Sequence, residues 1–125
     1  RGHWGGWGCL YAPDAVVEGS QIDSRVVVEA GARIINSVVR GPTIIGENSV
    51  IENSFVGPFT SIYHHVTVQN CEIERSIVLE HASLGNISTR IQDSLIGRHA
   101  TVQHSEGKPR SLKLNVGDHS NLWIT

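Results

Sequence analysis

The chain has 125 residues, with ten basic and twelve acidic side chains, and hydrophobic residues make up 39% of it. This length is typical of one domain, and the near balance of charge gives no support to a nucleic-acid or anionic-membrane partner. No run of about 18 apolar residues is long enough to cross a membrane. The N-terminus lacks the layout of a secretory signal, and the two cysteines form no metal or redox spacing, so we expect a cytoplasmic protein with free thiols.

Residues 1–15 follow no periodic pattern. Gly and Trp alternate there without the spacing of a helix or of a strand. We expect this segment to form an N-terminal arm or a cap that covers the open end of the following fold with Trp4, Trp7 and Tyr11.

Over residues 16–104 an aliphatic residue returns every five or six positions, beginning at Val16. A small or β-branched residue follows four places later, as at Thr43, Ser49 and Thr60. This period fits neither a helix nor an alternating strand, and it is typical of the hexapeptide repeat of a parallel β-helix. The sequence therefore predicts an all-β solenoid of about five coils with short end caps. The residues expected to point inward are Ile22, Val28, Ile34, Val39, Ile45, Ile51, Val56, Ile62, Val68, Ile73, Val78, Leu84, Ile91, Ile96 and Val102.

The repeat has a direct physical explanation. Each aliphatic residue points into a narrow triangular core, and the small residue lies beside a corner where a larger one would not fit. Gly, Asn, Pro and Asp gather in the turns. Coils stack about 4.8 Å apart, so that like residues form columns that are stable only together. Cys71 takes the turn position that Ser37 and Ser54 hold in earlier coils, which indicates a small turn residue.

The repeat is interrupted after Leu84 and is expected to end at Val102. The intervening GNISTR predicts a short outward loop, after which Ile91 and Ile96 contribute to the last coil. Residues 105–125 predict a polar turn and a capping strand, because LKLNV alternates apolar and polar side chains. The residues expected to cover the C-terminal end against edge pairing are Leu112, Leu114, Val116 and Trp123.

Five stretches carry a more specific resemblance. They are RIINSVVRGPTIIG, VIENSFVGPFTSI, EIERSIVLEHA, RIQDSLIGR and PRSLKLNVGDHS, within a match that runs over about residues 21–120. In this order they resemble the C-terminal domain of the long form of glucose-1-phosphate thymidylyltransferases. The resemblance implies a single-stranded left-handed parallel β-helix, which in that family follows the nucleotidyltransferase domain of a dTDP-sugar pathway enzyme.

The chain departs from that family in three respects. No stretch matches the catalytic domain, with its Gly-rich phosphate loop and metal-binding carboxylates. Tyr63-His64-His65 replaces the Gly-Asp type of turn, and residues 1–15 match nothing in the family's linker. We therefore assign no catalytic, cofactor-binding or metal-binding residue and expect no nucleotidyl transfer by these residues alone. The resemblance favours a non-catalytic oligomerisation or scaffold module, with nucleotidyltransferase activity only within a longer polypeptide.

Seven histidines keep two other functions open. Asn48, His65, His81 and His99 each follow a core aliphatic residue by three positions, so the three histidines are predicted to form a column with one imidazole per coil. Such a column is compatible with a hexapeptide acyltransferase, in which a histidine deprotonates the acceptor. It is also compatible with a metal site whose ligands come from adjacent coils, and the acyltransferase is the weaker of the two alternatives, because the projecting loop and extra C-terminal coils that usually build its pocket are absent. The simpler interpretation is a set of exposed turn residues, which again favours a scaffold.

One predicted face of the solenoid is apolar on its outward side, whereas its neighbours are polar or mixed. An apolar strip on a folded solenoid is commonly a partner surface. We expect a closed homo-oligomer, a trimer in the first place and a dimer in the second, with the histidines at the edge of the interface. The residues predicted to form this interface are Ile44, Tyr63, Ile77, Leu79 and Leu95.

Overall fold

The structure is a computed structural model that describes residues 3–5, 8–104, 111–112 and 115–124, with side chains described for residues 8–103 and 117–121. The regular elements of these residues are β-strands of two to four residues. In chain order they are β1 (His3–Gly5), β2 (Cys9–Tyr11), β3 (Val16–Glu18), β4 (Gln21–Asp23), β5 (Val26–Val28), β6 (Arg33–Ile35), β7 (Val38–Arg40), β8 (Thr43–Ile45), β9 (Val50–Glu52), β10 (Phe55–Val56), β11 (Thr60–Ile62), β12 (Thr67–Gln69), β13 (Glu72–Glu74), β14 (Ile77–Val78), β15 (Ser83–Gly85), β16 (Arg90–Gln92), β17 (Leu95–Ile96), β18 (Thr101–His104), β19 (Ser111–Leu112), β20 (Asn115–Val116) and β21 (Asn121–Ile124).

From β2 onward the chain visits three sheets in strict rotation, and each strand between the two ends of the stack pairs in parallel with the strands three before and three after it. Sheet 1 has the order β1-β2-β5-β8-β11-β14-β17-β20, sheet 2 has β3-β6-β9-β12-β15-β18-β21, and sheet 3 has β4-β7-β10-β13-β16-β19. This is a single-stranded left-handed parallel β-helix of about six turns. None of the described residues forms a long apolar helix of the kind that spans a bilayer.

The core is the stack of inward aliphatic residues that the repeat predicts. Ile45 lies in register with Ile62 in sheet 1, and Ile34 lies in register with Ile51 in sheet 2. All the predicted inward residues are buried except Ile22, which is partly buried and packs against the same core. Each fully buried aliphatic side chain contributes about 1.5–3 kcal/mol of transfer free energy, so stacking is the main source of stability.

The small residues beside the corners are buried as well, and some of them link successive turns of the helix. Ser49 is fully buried. Its hydroxyl donates to the carbonyl of Tyr63 at 2.6 Å and accepts the backbone N–H of Val66 at 3.0 Å. A side chain of this size fits the corner and satisfies two backbone groups that the turn leaves without a strand partner.

At the N-terminal end the structure corrects the starting register. Val17, not Val16, lies in register with Ile34 and packs against the core. The parallel stacking begins earlier, because Cys9–Tyr11 pairs with β5 and carries β1 as an antiparallel partner. Cys9 is buried, and Tyr11 is partly buried against the core. The predicted covering side chains of Trp4 and Trp7 lie outside the described side chains.

The insertion after Leu84 is not the outward loop that the sequence predicts. Asn86 takes a left-handed turn with φ of 55°, and the two residues that point inward after it are Ile87 and Thr89, both buried. The insertion therefore bulges while it keeps one apolar side chain in the core, and Thr89 precedes β16 as Cys71 precedes β13.

The C-terminal segment is a further turn of the β-helix and not one capping strand. Leu112 lies in register with Ile91, and Val116 with Ile96. The pairing of Leu122 with Val102 in sheet 2 completes the turn. The prediction that Ile91, Ile96 and Val102 close the last coil is therefore wrong. Trp123 is paired with Gln103 in register, while Leu114 and the side chains of Leu112, Val116 and Trp123 lie outside the described set.

Candidate functional site

The turn from sheet 1 to sheet 2 repeats one backbone conformation, and this conformation selects the residue types found there. The third residue of the turn has a φ of 55–71° in six successive turns. Gly, Asn, Asp and His enter this left-handed region more readily than other residues do. The residues at this position are Gly31, Asn48, His65, His81, His99 and His119.

The four histidines at this position form a histidine column: His65, His81, His99 and His119. Successive rings stack face to face, with centroids 4.9, 4.8 and 4.7 Å apart and interplanar angles of 17°, 6° and 6°. The predicted column of three histidines is therefore present and is one ring longer than predicted. His119 was not predicted, because residues 105–125 were expected to form a turn and a capping strand. The sequence does contain the pattern that predicts it, since Gly117-Asp118-His119 repeats the spacing of Gly97-Arg98-His99.

Backbone hydrogen bonds hold each ring at the spacing of the turns. His81 donates its backbone N–H to the carbonyl of His64 at 3.2 Å, and His99 donates to the carbonyl of Glu80 at 3.1 Å. His65 and His119 make the same bond to the preceding turn. The ring spacing follows from the inter-strand spacing of the β-helix and needs no ligand to maintain it.

His64 lies beside the column, although it occupies the second position of its turn. Its ring stands perpendicular to those of His65 and His81, with centroids 5.1 and 5.2 Å away and angles of 88° and 87°. The Nδ1 atoms of His64 and His65 are 2.9 Å apart, so one ring donates and the other accepts. One candidate ligand nitrogen from each of His64, His65 and His81 lies within 4.8 Å of the others. Sequence reasoning did not place His64 in this group.

The charge around the column favours neutral imidazole at its centre. Desolvation lowers the pKa of the exposed His81 ring below its usual value, and the neighbouring His99, His65 and His64 lower it further, while Glu80 acts in the opposite direction. At the far end, the Arg98 guanidinium donates to the Asp118 carboxylate at 2.6 Å and holds the pKa of that carboxyl below its usual range.

The outward side of sheet 1 carries the predicted apolar strip. Ile44, Ile77 and Leu95 are each 43–44% exposed, and Tyr63 is 45% exposed. Ser61 lies in register between Ile44 and Ile77, so one polar residue interrupts the row. Leu79, the fifth residue predicted for the strip, is the first residue of the turn after Val78. It is half-buried and therefore less exposed than the other four.

Two further surface features were not predicted. Phe59 is 66% exposed in a left-handed turn. The Gly57-Pro58 pair that precedes it in the sequence predicts a turn at this position. A hollow of about 280 Å³ lies between the strip and the histidines, lined among others by Ile44, Tyr63 and His64.

The other two faces are polar or charge-paired. On sheet 3 the ring of Phe55 lies beneath the guanidinium groups of Arg40 and Arg90, 5.8 and 5.5 Å from its centroid. Arg90 also pairs with Glu72 at 3.1 Å. On sheet 2, Gln69 donates to the Glu52 carboxylate at 3.0 Å. Among the described residues, the run of exposed aliphatic side chains lies on sheet 1.

The corner between sheets 2 and 3 confirms the structural role predicted for Cys71. Its backbone N–H donates to the hydroxyl of Ser54 at 3.2 Å, as the N–H of Ser54 donates to the hydroxyl of Ser37 at 3.1 Å. The Cys71 thiol donates to the carbonyl of Gln69 at 3.0 Å. Burial raises the pKa of this thiol to about 11, which leaves it in the unreactive thiol form at neutral pH.

Comparison with known proteins finds sequence relatives among nucleotidyltransferases. No protein-family model matches the chain. It is 46% identical over 110 residues to a glucose-1-phosphate thymidylyltransferase of Streptomyces griseus, and 39% identical over 109 residues to one of Streptomyces antibioticus. These alignments cover 88% and 87% of the chain but only 31% and 30% of the relatives, so the chain spans about a third of their length.

Solved structures confirm the fold at much lower identity. The acetyltransferase domain of PglB from Neisseria gonorrhoeae superposes with a TM-score of 0.63 at 18% identity, covering 92% of this chain and 54% of that domain. A candidate acetyltransferase from Bacillus cereus gives 0.68 at 19% identity, covering 86% of this chain and 70% of that one. At this identity the likeness concerns the β-helix alone. Taken with the sequence relatives, it shows that the chain is a homologue of the C-terminal β-helix portion of the glucose-1-phosphate thymidylyltransferases.

Proposed function

We propose that this chain is a non-catalytic β-helix module that joins identical copies through the outward side of sheet 1. The observation that supports the proposal is the contrast between the faces. Ile44, Ile77 and Leu95 are outward and exposed on sheet 1, whereas the other two sheets carry paired charges and amides among their outward residues. Aliphatic rows on a rigid, flat surface bury apolar area against a second copy without reorganising the fold.

The biochemical setting follows from the homologues. The homologues are glucose-1-phosphate thymidylyltransferases, which supports a module that serves a cytoplasmic enzyme joining a nucleotide to a sugar 1-phosphate. The role is to set the distance and orientation of the attached units, with a trimer as the first arrangement and a dimer as the second. No nucleotidyl transfer is assigned to the residues of this chain.

The test introduces a charge on the apolar strip without disturbing the core. Ile77→Asp is better suited than a change at Leu79, because Ile77 is exposed and Leu79 is half-buried in a turn. In the assembled state the new carboxylate would be desolvated without a partner, so the mass measured by light scattering is expected to fall toward that of one chain. The far-UV circular dichroism is expected to keep its β signal.

Val50→Asp is the matched control, because Val50 is an outward residue of sheet 2. It places the same carboxylate on a β-strand of the polar face, where the proposal expects the mass to stay unchanged. A wild-type chain with the mass of one protomer would contradict the proposal. An Ile77→Asp chain that keeps the wild-type mass, or a Val50→Asp chain that loses mass equally, would show that sheet 1 is not the interface.

A further inference from the structure

The left-handed backbone conformation of the turn accounts for the four histidines of the column but not for His64. The left-handed position selects residues such as Asn and His, and Asn48 occupies it one turn before His65. His64 stands at the preceding position, which has no positive φ and is held by Glu47 and Glu80 in the neighbouring turns. Its perpendicular ring against His65 and His81 is therefore a side-chain arrangement that turn geometry does not require.

The nitrogen atoms of these three residues are close to the spacing that a shared metal ion imposes. Around a tetrahedral zinc ion with Zn–N distances of about 2.0–2.1 Å, ligand nitrogens lie about 3.4 Å apart. The Nδ1 atoms of His64 and His65 are 2.9 Å apart, and the nitrogens of all three rings fall within 4.8 Å. His65 and His81 are exposed and His64 is half-buried, so a small side-chain rotation brings the third nitrogen to the ligand distance of a shared ion.

Two negatively charged side chains near the three imidazoles favour a bound cation. Glu47 lines the same hollow as His64, and the Glu80 carboxylate acts electrostatically on His81. Arg98 of the following turn donates to Asp118 at 2.6 Å and also interacts electrostatically with Glu80. The carboxylates of Glu47 and Glu80 accompany the imidazoles, and they lower the electrostatic cost of placing a dication among them.

We propose that His64, His65 and His81 form a binding site for a divalent transition-metal ion of the zinc class. Three neutral imidazoles each keep one N–H and offer the other nitrogen, and imidazole ligands select zinc, copper or nickel over magnesium and calcium. Three protein ligands leave the fourth position of a tetrahedral ion to water. The β-helix supplies the preorganisation, because Ile62, Val66, Val78 and Ala82 anchor both turns in the core.

The experiment is a calorimetric titration of Zn²⁺ into the full chain, freed of any histidine tag and treated with a chelator beforehand. One ion per chain is expected, and Mg²⁺ in excess should not compete. His64→Gln removes the ligand that the turn does not require, and His81→Asn removes another while keeping a residue type that the same turn position accepts at Asn48. Each is expected to weaken zinc binding at least about tenfold.

His119→Asn is the matched control, since His119 belongs to the same column with φ of 60° and lies two turns beyond His81. It should leave both affinity and stoichiometry unchanged. The absence of zinc binding by the wild-type chain would overturn the proposal. So would an equal loss for His119→Asn, or full affinity in His64→Gln, because either result would mean that the stacked column binds the ion without a defined site.

Discussion

The rings of His81 and His99 stack face to face, with centroids 4.8 Å apart and an interplanar angle of 6°. They belong to different turns, and only the coiling of the chain brings them together. Two imidazolium ions at this distance repel each other, and His65 lies equally close on the other side of His81. The stack is consequently stable when its members are neutral and is weakened when they are charged.

The first prediction is a loss of stability in mild acid. The pKa of His81 is lower in the folded chain than its ordinary value of 6.5, because of desolvation and then of His99, His65 and His64, against the opposing effect of Glu80. Below pH 6.5 the unfolded chain therefore binds more protons, and the free energy of unfolding falls as the pH drops. The melting temperature should be lower at pH 5 than at pH 7.5.

His81→Asn should reduce this dependence, because Asn is neutral at both pH values and suits the left-handed turn. The measurement is the melting temperature of wild type and variant across the same pH series. Parallel curves for the two proteins would mean that His81 does not contribute to the acid sensitivity.

The second prediction concerns the close approach of two turns at Gly46. A Cβ atom added there would lie 2.7 Å from the backbone nitrogen of His64 and closer still to the carbonyl group of Tyr63. The Gly46 N–H also donates to the carbonyl of Ile62 at 2.7 Å, so the two backbones have little freedom to separate. Gly46→Ala should therefore lower the free energy of unfolding by about 1–3 kcal/mol.

Gly85→Ala is the control for that change. Gly85 lies in a strand, and nothing lies within 4 Å of the position of an added Cβ. The free energy of unfolding should change by less than about 1 kcal/mol. Urea unfolding of both variants measures the difference, and an equal effect at the two positions would contradict the close approach of the turns.

The periodicity determines the core, but it does not determine the ends of the stack. Val16 and Val17 are both valine, and only pairing with Ile34 decides which one points inward. The C-terminal turn was missed because the segment between Val102 and Leu112 is longer than the repeat allows. Ile87 was assigned to an outward loop because its segment breaks the count, although an aliphatic side chain gains free energy by entering the core.

The candidate site, like the fold, could be predicted only in part. The column could be predicted because it repeats with the backbone, and the apolar strip could be predicted because it follows the alternation of each strand. The position of His64 depends on how one exposed side chain turns toward its neighbours, and no sequence period contains that information. Phe59 was missed because it lies in a turn, outside the strand positions that the pattern describes.

The last prediction tests the side-chain ladder at the corner between sheets 2 and 3. The hydroxyl of Ser54 donates to the carbonyl of Glu52 at 2.8 Å and accepts the backbone N–H of Cys71 at 3.2 Å. Ser54→Ala would leave that buried N–H without its acceptor, at a cost of about 1–3 kcal/mol in the free energy of unfolding. Cys71→Ser should have a smaller effect, because serine already holds the equivalent position at Ser37 and Ser54 and makes the same contact to a backbone carbonyl. Urea unfolding at pH 7.5 compares the two variants with the wild-type chain. A larger loss for Cys71→Ser than for Ser54→Ala would show that packing of the thiol, rather than the ladder of hydrogen bonds, stabilises this corner.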